Sequence, residues 1–198
     1  MIDEKFVFLA IVLGLFGSFS YLIATIKGQA KPNKITWFIW AVAPLITFAA
    51  QAKQGVGLIS LMTLAAGIGP LFIFFASFLN PKAFWKITKF DLLCGVFSVI
   101  GLILWGITKE ANLTILFSII ADGLATIPTI IKSYQFPETE NYQAYLFGMV
   151  GSIITLLTIQ KWNFAYYAFP LYISIVCLIL FLLIKFKLGK KIKTILAT

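Results

Sequence analysis

The chain contains no histidine and no arginine, and only seven acidic residues and two cysteines in 198 positions. Without histidine there is no imidazole to relay protons or hold a metal. Without arginine there is no planar guanidinium fork for a phosphate. A membrane hydrolase would need a nucleophile with its base, or paired aspartates, and those parts are missing. Cys94 and Cys177 lie far apart in apolar runs and read as small core residues with no redox role. Charge is scarce as well, at 12% of residues against 61% hydrophobic. A soluble domain of this length cannot hide so much apolar surface in one core, so the solvent is the bilayer. The 16 lysines against seven acids give a net charge of +9. In a soluble protein that excess would point to nucleic acid. Here the lysines gather in loops on one side, so topology explains them and no nucleic-acid partner is expected.

Cutting the chain at its polar and Gly/Pro-rich breaks leaves seven pieces fit to cross roughly 30 Å of hydrocarbon. They run from Lys5 to Lys27, Ile35 to Ala52, Gly55 to Leu79, Phe90 to Thr108, Ala111 to Tyr134, Tyr142 to Gln160 and Phe164 to Lys185. The leader Met-Ile-Asp-Glu-Lys lacks the positive region of a secretory signal, so the first piece reads as a retained helix. Seven crossings place four lysines (Lys5, Lys53, Lys109, Lys161) on the side of the N-terminus and twelve on the other. By the positive-inside rule the N-terminus is outside and the lysine-rich tail cytoplasmic. The seventh piece carries no lysine midway, which excludes a retinal Schiff base, and no cofactor is called for. Lysine as sole cation suggests an AT-rich microbial genome and hence a prokaryotic cytoplasmic membrane.

Laying the second half of the chain over the first pairs Ile26-Lys27 with Ile131-Lys132 and Pro32 with Pro137. The same register pairs Trp37 with Tyr142, Trp40 with Tyr145 and Thr47 with Ser152. Helix one falls on helix five and helix two on helix six, leaving the fourth as a connector. The expected fold is an all-α integral membrane protein of seven transmembrane helices, two parallel three-helix bundles joined by a linker helix. Residues 1–79 form the first bundle, 80–110 a cytoplasmic loop and the linker helix, 111–185 the second bundle, and 186–198 a lysine-rich cytoplasmic tail.

The stretch Ile127-Pro128-Thr129-Ile130-Ile131-Lys132-Ser133-Tyr134, followed by Pro137-Glu138-Thr139-Glu140-Asn141, resembles the PQ-loop signature of the SWEET-like transporter superfamily. Thr129 stands where that signature has glutamine, and Lys132 and its mate Lys27 take the lysine position. The run Trp37-Phe38-Ile39-Trp40 resembles the Trp-x-x-Trp of Pnu-type vitamin transporters, which share the three-plus-one-plus-three plan. The resemblance implies alternating-access transport of a small polar metabolite such as a sugar, amino acid or vitamin-like compound, with Pro128 at the family's hinge position. Two other readings stay open: a ligand or cargo receptor on the same scaffold, or a structural membrane subunit without a ligand.

Asp122 is the one acid well inside a span, about 16 Å along the fifth helix at 1.5 Å per residue and so near the bilayer centre. A carboxylate there must face a cavity or a partner. Either it binds a coupling proton or a solute's cationic group, or it is a structural acid bonded to Ser18, Ser20, Thr25 or Thr126. Pro44, Pro70, Pro128 and Pro170 each remove a helical donor from a different span, which suits a rocking bundle, although proline is common in membrane helices generally. Trp37 and Trp40 share a helical face, with Tyr142 and Tyr145 at the matching places. They form either an aromatic-walled cleft or an interfacial belt, the belt suiting Trp37 and Tyr142 and the cleft Trp40 and Tyr145. Trp105 and Trp162 read as belt. Gly14, Gly17, Gly67, Gly69, Gly148 and Gly151 suit close helix approach. The tail after Lys185 and the Asn80–Lys89 loop, with Phe84 and Trp85, are expected to contact membrane lipid.

Overall fold

The computed structural model describes residues 2–108 and 110–196; Lys109 and the side chains of Trp105 and Lys193 lie outside the described residues. The described chain is all-helical: α1 (Phe6–Ile26), α2 (Lys34–Lys53), α3 (Ile59–Ala76), α4 (Lys89–Thr108), α5 (Ala111–Gln135), α6 (Tyr142–Thr158), α7 (Phe164–Lys185) and α8 (Leu188–Leu196). Single 3-10 turns occupy Pro81–Ala83 and Pro137–Thr139. Polar side chains start the helices by taking up orphan backbone donors. Asn33 accepts from the Ile35 and Thr36 amides, Glu110 from Leu113 and Asn141 from Gln143. Thr88 and Asp91 form a reciprocal capping box at the head of α4.

α1, α2, α3, α5 and α7 are long and apolar enough to cross a membrane; α6 is a 17-residue apolar helix. The radial distribution of polarity is that of a membrane protein. Phe8, Val12, Phe16 and Phe19 on α1, Phe72 and Phe75 on α3, and Leu92, Val96 and Ile103 on α4 point outward. Meanwhile Thr36, Thr47, Gln51, Thr63, Ser98, Ser118, Asp122, Thr129, Ser152 and Thr155 are buried. Such an outer surface is stable only against hydrocarbon.

Bonds between distant segments show how the helices alternate. At one end the Ile2 amide donates to the Leu157 carbonyl at 3.0 Å, Gln51 Nε2 to Ala165 at 2.8 Å and Gln54 to Asn112 at 3.2 Å. At the other, the Lys31 amide donates to Thr139 at 2.9 Å, Asn80 Nδ2 to the Ile26 carbonyl at 2.7 Å, and Lys190 pairs with Glu138 at 2.8 Å. The lysine-rich segments thus collect at a single end. α3 packs on both α1 and α2, and α7 on both α5 and α6; α1 lies against α6, α2 against α5, and α4 against α5 with an edge on α2.

Two differences from the sequence expectation have local causes. α3 begins at Ile59 rather than Gly55, because Gly55 and Gly57 take φ of +69° and +73° and turn the chain before the helix starts. The tail is not featureless: after Lys187, at φ +51°, it forms α8, whose lysines face away from α5 and α7 only in part, since Lys190 reaches Glu138.

Candidate functional site

A cavity of about 120 Å³ lies between α1, α2, α3, α5, α6 and α7. Small residues make the space: Gly14 and Ala10 on α1, Ala65 and Ala66 on α3, Gly148 and Gly151 on α6. Toward the lysine-rich end it meets a buried cluster of Tyr21, Trp37, Trp40, Tyr145, Leu180 and Ile184. Toward the opposite end it meets a second, aliphatic cluster that includes Val7, Val56, Ile59, Met62, Ile115 and Ile159. The cavity therefore sits between two packed plugs.

Asp122 is 2% exposed and lines this cavity. Its Oδ2 accepts a 2.6 Å hydrogen bond from the Tyr172 hydroxyl on α7, while Oδ1 has no hydrogen-bond partner among the described residues. Thr126, one turn on, donates to the Asp122 carbonyl at 2.8 Å, stands 3.3 Å from the Tyr172 hydroxyl and accepts from the Trp40 indole at 2.9 Å. Trp40 on α2 is thereby held by α5, and the carboxylate by α7. Of the expected structural partners only Thr126 bonds to Asp122, and through its backbone. Ser18 lines the cavity, Ser20 bonds to Gln143 and Asn141, and the buried Thr25 hydroxyl has no partner.

Trp37, Trp40 and Tyr145 also line the cavity, the Trp40 and Tyr145 rings 6.3 Å apart edge-on and Trp37 and Trp40 5.1 Å apart. Tyr142 is not brought to it: the ring packs on Phe181, and the Lys185 ammonium sits 4.1 Å from its centre. Pro44 and Pro70 line the cavity, whereas Pro128 and Pro170 are buried in α5 and α7 away from its wall. Beside Pro128, Thr36 of α2 donates to the Ala125 carbonyl at 2.7 Å, and Thr129 donates to Thr36 at 3.2 Å. Lys27 is exposed beyond the end of α1.

Behind the aromatic plug is a buried ion pair. Lys132 Nζ lies 2.7 Å from Glu140 Oε1, the two side chains being 1% and 0% exposed. Glu140 Oε2 accepts from the Tyr21 hydroxyl of α1 at 2.9 Å and the Tyr145 hydroxyl of α6 at 2.8 Å. The same ammonium donates to the Lys31 carbonyl and sits 4.7 Å from the centre of the Trp85 ring. Every acceptor of the carboxylate is used, which is the condition under which a buried pair is tolerable. The helix-count and repeat arguments do not single out Glu140, Tyr21 or Tyr172, and Thr126 enters the sequence reading only as a structural partner for Asp122. The signal available for Glu140 is its place in the loop eight residues after Lys132. The chain matches no protein-family model, no curated protein and no solved structure.

Proposed function

We propose that this protein is a seven-span membrane transporter of a small polar metabolite, its N-terminus outside, working by alternating access between an α1–α3 bundle and an α5–α7 bundle with α4 as linker. The observation that carries the reading is the central cavity in which Asp122 presents an unused oxygen. That oxygen offers an acceptor for a coupling proton or for a donor on the solute. Support for two rocking units comes from the matching contacts: α3 is central to one trio, α7 to the other, and α1–α6 mirrors α2–α5.

In this reading the ion pair is the inner gate. Tyr21 and the Lys31 carbonyl belong to one trio, and Lys132, Glu140 and Tyr145 to the other. Opening inward separates Tyr21 from Glu140 and Lys31 from Lys132 while leaving Lys132–Glu140 intact within its own trio. Because Lys132 and Glu140 stay paired within the second trio, the gate opens without stranding either ion.

Counterflow in proteoliposomes tests the proposal, using a panel of sugars, amino acids, vitamins and amines. The expected result is exchange of at least one class, abolished by Gly14→Phe, since a Cβ on Gly14 meets nothing within 4 Å and a ring there fills the cavity. Absence of exchange for every class, or exchange unaffected by Gly14→Phe, would refute transport through this cavity.

A further inference from the structure

Resting on that reading for its claim of transport, we infer that the solute is a compact organic monocation, a primary ammonium with an apolar body and no carboxylate. The ammonium donates to Asp122 Oδ1, and the body packs against Trp37, Trp40 and Tyr145.

The lining is one-sided in its chemistry. It presents one carboxylate and three aromatic rings, and most of the remainder is Ala, Gly, Pro and aliphatic side chains. No lysine is among the lining residues. The nearest cation behind the plug, Lys132, is already committed to Glu140 and to the Lys31 carbonyl. An amino acid or organic acid would therefore bury its carboxylate beside Asp122 with no counter-charge, the costliest arrangement in a site of low dielectric. A sugar fares poorly for a different reason. The Trp40 indole is spent on Thr126 and the Tyr145 hydroxyl on Glu140, leaving Ser18, the Trp37 indole and Asp122 Oδ1 to replace the hydration of many hydroxyls. A cation meets both requirements of the wall: it supplies the charge that Asp122 lacks, and it is attracted by ring faces. The volume limits the body. About 120 Å³ is close to the ~150 Å³ of an engineered apolar cavity that accepts benzene, a size that suits a small amine.

Four ligands that share one branched apolar body separate these chemistries: isobutylamine, isobutanol, isobutyrate and valine. At pH 7.5 the amine is cationic, as an alkylammonium with a pKa of about 10.4 would be. Isothermal titration of the detergent-purified full chain is expected to show isobutylamine binding at least tenfold more tightly than the other three. Asp122→Asn is expected to remove at least tenfold of that affinity while the melting temperature stays near wild type. Should Asp122→Asn fail to fold, Gly14→Phe serves instead and is expected to abolish amine binding. Valine or isobutanol binding as tightly as isobutylamine, or amine affinity that survives either substitution in a folded protein, would overturn the inference. The counterflow panel separates the two claims. Exchange of sugars or amino acids with none of amines leaves transport standing and rejects the cation. Amine binding that depends on Asp122 with no exchange of any solute keeps the cation and rejects transport.

Discussion

Replacing Lys132 by methionine leaves Glu140 buried with its two tyrosine donors and no counter-charge. Breaking a fully buried pair in this way costs about 3–5 kcal/mol. With both side chains almost completely covered, solvent screening relieves little of it. For a chain of this length about 2–4 °C of melting temperature accompanies each kcal/mol, so a drop of roughly 6–20 °C is expected. Glu140→Gln alone strands the ammonium, although the Lys31 carbonyl and the Trp85 ring still face it, and is expected at the lower end of that range. The double variant Lys132→Met/Glu140→Gln removes both charges and keeps an amide oxygen for Tyr21 and Tyr145. Neutral replacement of a buried pair is often close to neutral in stability, so the double variant should recover most of the loss and show a coupling energy of about 2–3 kcal/mol. Thermal unfolding in detergent, followed by labelling of Cys94 and Cys177 with a thiol-reactive fluorogenic dye, reports all four proteins. Single-variant losses below about 1 kcal/mol, or a double variant no more stable than the weaker single, would refute the account of the pair as buried and mutually dependent.

Three further outcomes follow from the same geometry. Gly14→Ala adds a methyl where nothing lies within 4 Å and should gain up to about 1 kcal/mol of helix propensity, whereas Gly151→Ala places one 2.8 Å from the Ala10 carbonyl and should lose up to about 2 kcal/mol net, read as opposite shifts in melting temperature. Tyr172→Phe removes the sole donor to the Asp122 carboxylate among the described residues and should cost about 1.5–3 kcal/mol by the same melt, no change being the contrary result. The hydrogen bond from Lys190 holds the Glu138 carboxyl below its ordinary value of 4.5. A carboxyl lowered on folding contributes stability above that ordinary value and loses it as pH falls through the lowered one. Glu138→Gln should therefore reduce hydrogen-exchange protection of α8 at pH 7 and match wild type once the pH has fallen below the lowered value, and equal protection at pH 7 would contradict the pairing.

The helical cores were legible because apolar runs of membrane length have few alternatives, and the predicted pieces coincide with α1 to α7 within a few residues. What escaped was set by backbone conformation or by packing at a distance. Gly55 and Gly57 delay α3 through their positive φ, which composition alone does not reveal. α8 was masked by the lysines that dominate its segment. Asp122 was conspicuous because a carboxylate interrupting an apolar run demands a reason, and it does line the cavity. Glu140 enters the sequence reading only as part of the PQ-loop-like stretch, since an acid in a polar loop is ordinary until the loop folds beneath Tyr21 and Tyr145. In sequence Tyr142 and Tyr145 differ only in depth along the helix, which suits the first to a belt and the second to a cleft. Three residues apart, they diverge because Lys185 and Phe181 of α7 claim the first and Glu140 the second.

The α2–α5 and α1–α6 seams differ in texture. Between α2 and α5, Thr36 and Trp40 are laced to Ala125, Thr129 and Thr126. Between α1 and α6, Gly17 and Gly151 let the backbones approach closely, and the polar ties sit at the two ends, Ser20 with Gln143 and Asn141 at the lysine-rich end and the Ile2 amide with the Leu157 carbonyl at the other. In the proposed transporter the laced α2–α5 edge is the post on which the door swings, and the widest travel belongs to α1 and α6; a pair of distance labels across that seam would register the swing before a pair across α2 and α5.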